Sequence, residues 1–140
     1  MTDTITLSPN PKNKCFGCGG DNDGGMKLTF EQDNLNRRIV GQFVLGQRYQ
    51  GGGGFAHGGI IATLLDEAMG KVCRFREARA VTAELTVEYL KPVDVMKEIV
   101  VEGRETEMKG RNIFMTGEIR DTAGLVLARG RARFVVIGQK

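Results

Sequence analysis

The sequence predicts an α+β fold in which one central amphipathic helix is wrapped by an antiparallel sheet of about six strands. Three observations carry this. A single stretch, residues 57–76, places its apolar residues at helical period. Two segments before it and four after it read as strands. Short turn signals join most neighbouring strands, so they fold back on one another as antiparallel pairs.

Taken in order, residues 1–14 are polar, carry Pro9 and Pro11, and are expected to form a loose arm. Residues 15–25 are a glycine-rich loop. Residues 26–32 and 38–45 alternate well enough for two antiparallel strands about a turn at 33–36. Residues 46–56, with four consecutive glycines at 51–54, form a flexible loop that delivers the chain to a helix over 58–76. The strand at 81–90 sets Val81, Ala83, Leu85, Val87 and Tyr89 on one face and Thr82, Glu84, Thr86 and Glu88 on the other; Pro92 ends it. Residues 97–108 and 112–120 flank a Lys109-Gly110 turn, and 125–137 follows a turn at 121–124. Residues 15–140 thus make one domain, with no internal repeat and no second boundary.

Composition narrows the function classes. At 140 residues the chain supports one core, and 41% hydrophobic with 26% charged residues is ordinary for a soluble globular protein. Neither a membrane-spanning run nor a signal-peptide pattern is visible. A net charge of +3 is too slight to argue for nucleic acid and suits an anionic small ligand equally well. Three cysteines without a secretion signal favour reduced thiols and a cytoplasmic location. The single histidine, His57, is all that a Ser-His-Asp or Cys-His arrangement could use, and no G-x-S-x-G motif is present.

The chemistry is concentrated in HGGIIATLLDEAMG, residues 57–70. Gly58 and Gly59 open the helix, leaving unshielded N–H groups on which a negative or polarised oxygen can sit. At about 100° per residue, Ile60, Ile61, Leu64, Leu65, Ala68 and Val72 share a broad apolar side. Gly59, Ala62, Thr63, Asp66 and Gly70 share another, where every member but the acid is small. Asp66 is therefore the candidate for chemistry. Glu67 points elsewhere, beside Lys71 and Arg74, and reads as a solvated ion-pair member.

Helix geometry adds a constraint. Eight residues separate Gly58 from Asp66, roughly 12 Å along the axis at about 1.5 Å per residue. A reacting centre must lie about 3 Å from both the attacking group and the oxyanion donors. One helix cannot meet both requirements, so a shared reaction needs two symmetry-related copies of it. A twofold dimer with an active site across its interface is expected.

Other residues are weaker candidates. Cys15 and Cys18 have zinc-ligand spacing, but a tetrahedral site needs four ligands. His57 and Cys73, the remaining His and Cys residues, both belong to the helix region. The pair is read as a structural turn, with no metal, and no thioredoxin-like βαβ pattern follows it. Arg129, Arg131 and Arg133 share one strand face; they either meet cross-strand acids such as Glu84 or Glu88, or present a basic surface to phosphates together with Arg111. Lys91, before Pro92, is another phosphate candidate, and the loop residue Phe55 is a substrate-binding candidate.

The motifs Cys15-Phe16-Gly17-Cys18-Gly19, HGGIIATLLDEAMG (57–70) and VTAELTVEYLKPV (81–93) are similar to those of a known family. Over residues 14–137 the chain resembles the hotdog-fold acyl-CoA thioesterases of the phenylacetate-pathway (PaaI-like) type, in the subgroup with an N-terminal C-x-x-C-G arm. The resemblance implies a curved antiparallel sheet around the helix, homodimers joined sheet edge to sheet edge, and often homotetramers. It implies acyl-CoA as substrate, with coenzyme A as part of that substrate and no other cofactor. Asp66 would be nucleophile or general base, and a Gly58 or Gly59 amide of the partner subunit the oxyanion donor. Thr82 matches a Ser/Thr that positions water or the carboxylate. Gln50 is the candidate for a substrate-contacting Asn or Gln that some members carry shortly before the glycines. His57 would orient the glycine turn or donate to the thioester, or else simply close the helix. Two other readings stay open: a hotdog enoyl-CoA hydratase or dehydratase, and a non-catalytic acyl-CoA-binding module.

Overall fold

Helix α1 (Gly58–Lys71) lies against one face of a seven-stranded antiparallel sheet, in a computed structural model that describes residues 3–139. The first two residues of the expected arm, and the last residue of the expected domain, lie outside the described residues. The strands are β1 (Thr4–Leu7), β2 (Phe30–Asp33), β3 (Arg38–Val44), β4 (Ala78–Tyr89), β5 (Glu98–Lys109), β6 (Asn112–Asp121) and β7 (Val126–Gln139), in the order β1-β2-β3-β5-β6-β7-β4. The sheet has one strand more than the six expected. The extra one is β1, inside the segment read as a loose arm: Thr4 to Leu7 pair with Asp33 to Phe30.

Two boundaries moved for identifiable reasons. β2 starts at Phe30 rather than 26, because Lys27 has φ 52° and cannot extend a strand. The N–H groups of Met26 and Leu28 are also taken, by the carbonyls of Phe16 and Gly17. The helix ends at Lys71, and Val72–Arg76 continues as a 3-10 turn that Glu77, at φ 51°, brings to a stop.

The core follows the helical phase. Ile61, Leu64, Leu65, Ala68 and Met69 are buried, facing Val101 of β5, Ile113, Met115 and Ile119 of β6, and Phe134 of β7. The sheet comes very close to α1 at Gly103, where an added Cβ would stand 2.7 Å from the Ala68 carbonyl oxygen. Helix and strand backbones cannot both stay in place around it. Gly103→Ala is expected to destabilise the fold by about 1–3 kcal/mol, as overpacking does. A urea midpoint unchanged from wild type would refute this close-packed contact.

β4 departs most from its expected pattern. Its partners on β7 run Thr82↔Phe134 and then Glu84↔Arg133, so Ala83 is an extra residue in a bulge. The bulge reverses the facing of everything before it. Ala78, Ala80 and Thr82 therefore share the helix side with Leu85 and Val87, whereas Val81, grouped with Leu85 by strict alternation, is half exposed. On the outer face Glu84 and Glu88 sit opposite Arg133 and Arg129, and Arg133 Nε donates to Glu84 Oε1 at 2.8 Å. The cross-strand acid reading of these arginines holds for that pair.

The two edges of the sheet differ. β1 offers four residues, and β4 offers twelve.

Candidate active site at the N-terminus of α1

His57 caps α1. Its backbone is extended (φ −63°, ψ 136°), and its Nδ1 accepts the Gly59 N–H at 2.8 Å. The His57 carbonyl takes the N–H groups of Ile60 and Ile61. Among the described residues the Gly58 N–H has no acceptor, so of the two glycine amides Gly58 carries the free donor and Gly59 does not. That N–H stands at the positive end of the helix dipole. Because Nδ1 accepts, a neutral His57 ring carries its proton on Nε2, leaving one N–H to donate.

The loop before the helix is closed rather than flexible. Gln47–Tyr49 form a 3-10 turn, Gln50 bridges to Ala56, and Gly51 N–H donates to the Phe55 carbonyl at 2.7 Å. The His57 N–H donates to Tyr49 O and the Ala56 N–H to Val93 O, each at 2.8 Å. Gly54 has φ 85°, which only glycine adopts cheaply. This loop carries exposed Gln50 and Phe55 to the entrance of α1.

Tyr89, which sequence reasoning treated only as a strand residue, belongs to this end. β4 runs back along α1, and the Tyr89 hydroxyl donates to the Gly58 carbonyl at 2.8 Å. Nothing in the alternation of 81–90 signals this; it depends on how helix and strand lie together. Tyr89→Phe is expected to cost about 1 kcal/mol of stability, the net value of one hydrogen bond. Equal denaturation midpoints for the two proteins would show that the bond contributes nothing. Lys91 is exposed two residues further on, its backbone held by Leu127 O.

The second half of the site lies about two turns further along the same helix. Asp66 is half-buried and accepts the Thr82 hydroxyl at 2.8 Å on Oδ1, leaving Oδ2 uncommitted. Both glycines and Asp66 lie on one unbroken helix, so the separation of roughly 12 Å stands. Within one chain the structure does not bring the glycine turn and the acid together. It puts Asp66 against Thr82 of β4, the long edge strand. Arg111 is at that end too, since its carbonyl holds Val136, which pairs with Ala80. Its Nε and Nη2 donate to the Val136 carbonyl, at 3.0 and 2.8 Å, so two of its donors are committed to the protein's own backbone.

Glu67 corrects the sequence reading. It has no ion pair among the described residues: Arg74 Nε instead donates to Gln32 Oε1, and Cys15 Sγ donates to Glu67 Oε1 at 3.5 Å. The N-terminal loop closes over this part of α1, a contact the helical wheel could not reveal. Burial, and then the Glu67 charge, push the Cys18 thiol up to about 12, so it is neutral at physiological pH.

One long helix held by a wrapped seven-stranded antiparallel sheet defines a hotdog fold. The chain belongs to the thioesterase superfamily, whose pattern matches residues 53–128. It is similar to the acyl-coenzyme A thioesterase THEM4 of Rattus norvegicus, 35% identical over 98 residues, covering 70% of this chain and 42% of that protein. The Xenopus laevis THEM4 is 30% identical over 112 residues, or 79% of this chain and 50% of that one. The chain thus spans half or less of the length of these relatives. Among solved structures, a thioesterase superfamily protein superposes with a TM-score of 0.80 at 27% identity, over 87% of this chain and 60% of the other. The Escherichia coli PaaI protein from the phenylacetic acid degradation operon has a TM-score of 0.70 at 19% identity, over 74% and 75% of the two chains, which shows a common fold. Among the described residues no helix is long and apolar enough to cross a membrane.

Proposed function

We propose that the protein hydrolyses acyl-CoA thioesters to a free acid and CoA, at sites shared between two protomers. The observation that carries this reading is the Gly58 N–H, which among the described residues has no acceptor, at a helix end whose neighbouring amides are all satisfied. An unpaired donor at the positive end of a helix is suited to the oxygen of a polarised carbonyl, which becomes an anion when the carbon is attacked. The names of the THEM4 relatives support the same chemistry.

Pairing of β4 with its own copy about a twofold axis would continue the sheet and cover a twelve-residue edge. It would also bring Asp66 of one chain opposite the glycine turn of the other, which the separation of roughly 12 Å within a chain demands. In that site the thioester oxygen rests on Gly58 N–H. Asp66 either attacks the carbonyl carbon, giving an anhydride that water then opens, or takes a proton from the water that attacks. The C–S bond breaks as the tetrahedral intermediate collapses, and the CoA thiolate takes up a proton. Thr82 holds one carboxylate oxygen and leaves the other for the reaction. His57 Nε2–H is the donor best placed to orient the substrate at the turn. Lys91, exposed near the entrance, is a partner for the phosphates of CoA, and Gln50 and Phe55 contact the acyl part. No cofactor beyond the substrate's own CoA takes part.

The test is release of free CoA thiol from short, long and aryl acyl-CoA esters, compared with the spontaneous rate. Turnover of at least one class, with the active species sedimenting as a dimer or larger, is the expected result. A fully active monomer would remove the shared site. Hydration of an enoyl-CoA outpacing all thioester cleavage would assign the protein to the hydratase class instead.

A further inference from the structure

The N-terminal loop carries a second constellation, on α1 one residue beyond Asp66. The Sγ atoms of Cys15 and Cys18 and a carboxylate oxygen of Glu67 all lie within 4.8 Å of one another. Ligand atoms around a tetrahedral zinc, at about 2.3 Å for sulfur and about 2.0–2.2 Å for oxygen, stand roughly 3.3–3.8 Å apart. Cys15 Sγ and Glu67 Oε1, at 3.5 Å, already have that spacing.

The surroundings hold the three groups in place. Cys15 N–H donates to Asn13 Oδ1 at 2.7 Å, and Gly19 N–H to the Cys15 carbonyl at 2.9 Å, so the C-x-x-C turn is fixed by the Asn13 side chain and its own backbone. An added Cβ on Gly19 would stand 2.4 Å from the Asn13 carbonyl oxygen and the Cys15 nitrogen. At Gly17 it would stand 2.5 Å from the Glu67 carboxylate carbon. Gly19, packed against backbone, is therefore required for the turn that carries the thiols, whereas a side chain at Gly17 would push the Glu67 carboxylate away from them. Lys71, one turn along the helix, acts on Cys18 as the nearby compensating charge.

We propose that Cys15, Cys18 and Glu67 form a zinc site that fastens the N-terminal loop to α1, with a water as fourth ligand. The sequence favours a structural turn over a metal here, because His57 and Cys73 are the remaining His and Cys residues and both belong to the helix region. The third ligand is instead an acid that had been assigned to the solvated face. Two soft thiolates and one carboxylate suit Zn²⁺, and the ion would release the two thiol protons on binding. This inference does not depend on the thioesterase reading.

The experiment is elemental analysis of the full chain purified without chelator, followed by titration of stripped, reduced protein with Zn²⁺ and Co²⁺. About one zinc per chain is expected, and the Co²⁺ form should show near-ultraviolet thiolate-to-cobalt absorption. Cys18→Ser should weaken Zn²⁺ binding by at least about 100-fold, since loss of even an outer-shell partner costs 10–100-fold. Cys73→Ser and Asp66→Asn should bind as wild type does. Should Cys18→Ser not fold, Glu67→Gln, which keeps both thiols and the helix, must show the weakened binding. Reduced protein that takes up neither ion overturns the proposal. So does binding unaffected by either Cys18→Ser or Glu67→Gln.

Discussion

Asp66→Asn is expected to lower acyl-CoA turnover by about 10²- to 10⁴-fold, the usual range for a lost proton-transfer group. The amide occupies the same volume and still offers an oxygen to the Thr82 hydroxyl, so the 2.8 Å contact can persist and the helix is undisturbed. Sedimentation and the denaturation midpoint should therefore match wild type while kcat collapses. What the amide lacks is a basic, nucleophilic oxygen, and both routes through Asp66 need one. Near-wild-type hydrolysis of every acyl-CoA by a folded Asp66→Asn protein would end the assignment.

The second large effect concerns the oxyanion donor. Gly58 is the first residue of α1, a position where proline is favoured because its missing N–H has no intrahelical partner. His57, at φ −63° and ψ 136°, already has the extended backbone that a following proline requires. An added Cβ at Gly58 would meet the Tyr89 hydroxyl at an ordinary 3.5 Å. Gly58→Pro thus deletes one N–H with little disturbance, and turnover should fall by about 10²- to 10³-fold.

The two variants together test the shared site. If Asp66 of one chain works with Gly58 of the other, a mixed dimer has one site with both groups intact and one with neither. Refolding a 1:1 mixture should recover roughly a quarter of wild-type activity, since half the dimers are mixed and each has one good site of two. A site contained in one chain gives no recovery at all. Absence of rescue in verified mixed dimers would place both groups in a single protomer.

Much of this was legible in the chain. The apolar phase of 60–72 predicted the buried helix face, and the turns at 33–36, 109–110 and 121–124 all separate strands. Asp66 stood out because its helix neighbours on that side are small. What failed was strict alternation in β4. It put Thr82 with Glu84 on the outer face, whereas the bulge at Ala83 turns Thr82 inward to Asp66. Period-two patterns cannot register one extra residue when alternating residues such as Val81, Thr82 and Ala83 are each tolerated on either face. Tyr89 was missed for a related reason: a half-exposed aromatic at a strand end has no distinguishing local signal.

By itself the sequence determined the layered α+β architecture, the helix with its glycine-opened start, and the separation of that start from Asp66. These follow from local periodicity and from the fixed rise of a helix, which need no knowledge of neighbours. Only the tertiary structure decided that Gly58 and not Gly59 keeps a free amide, that Thr82 and Tyr89 meet α1, and that Glu67 faces two thiols. Each of those depends on which distant segment packs against the helix, and contacts between residues far apart in the chain leave no period in it.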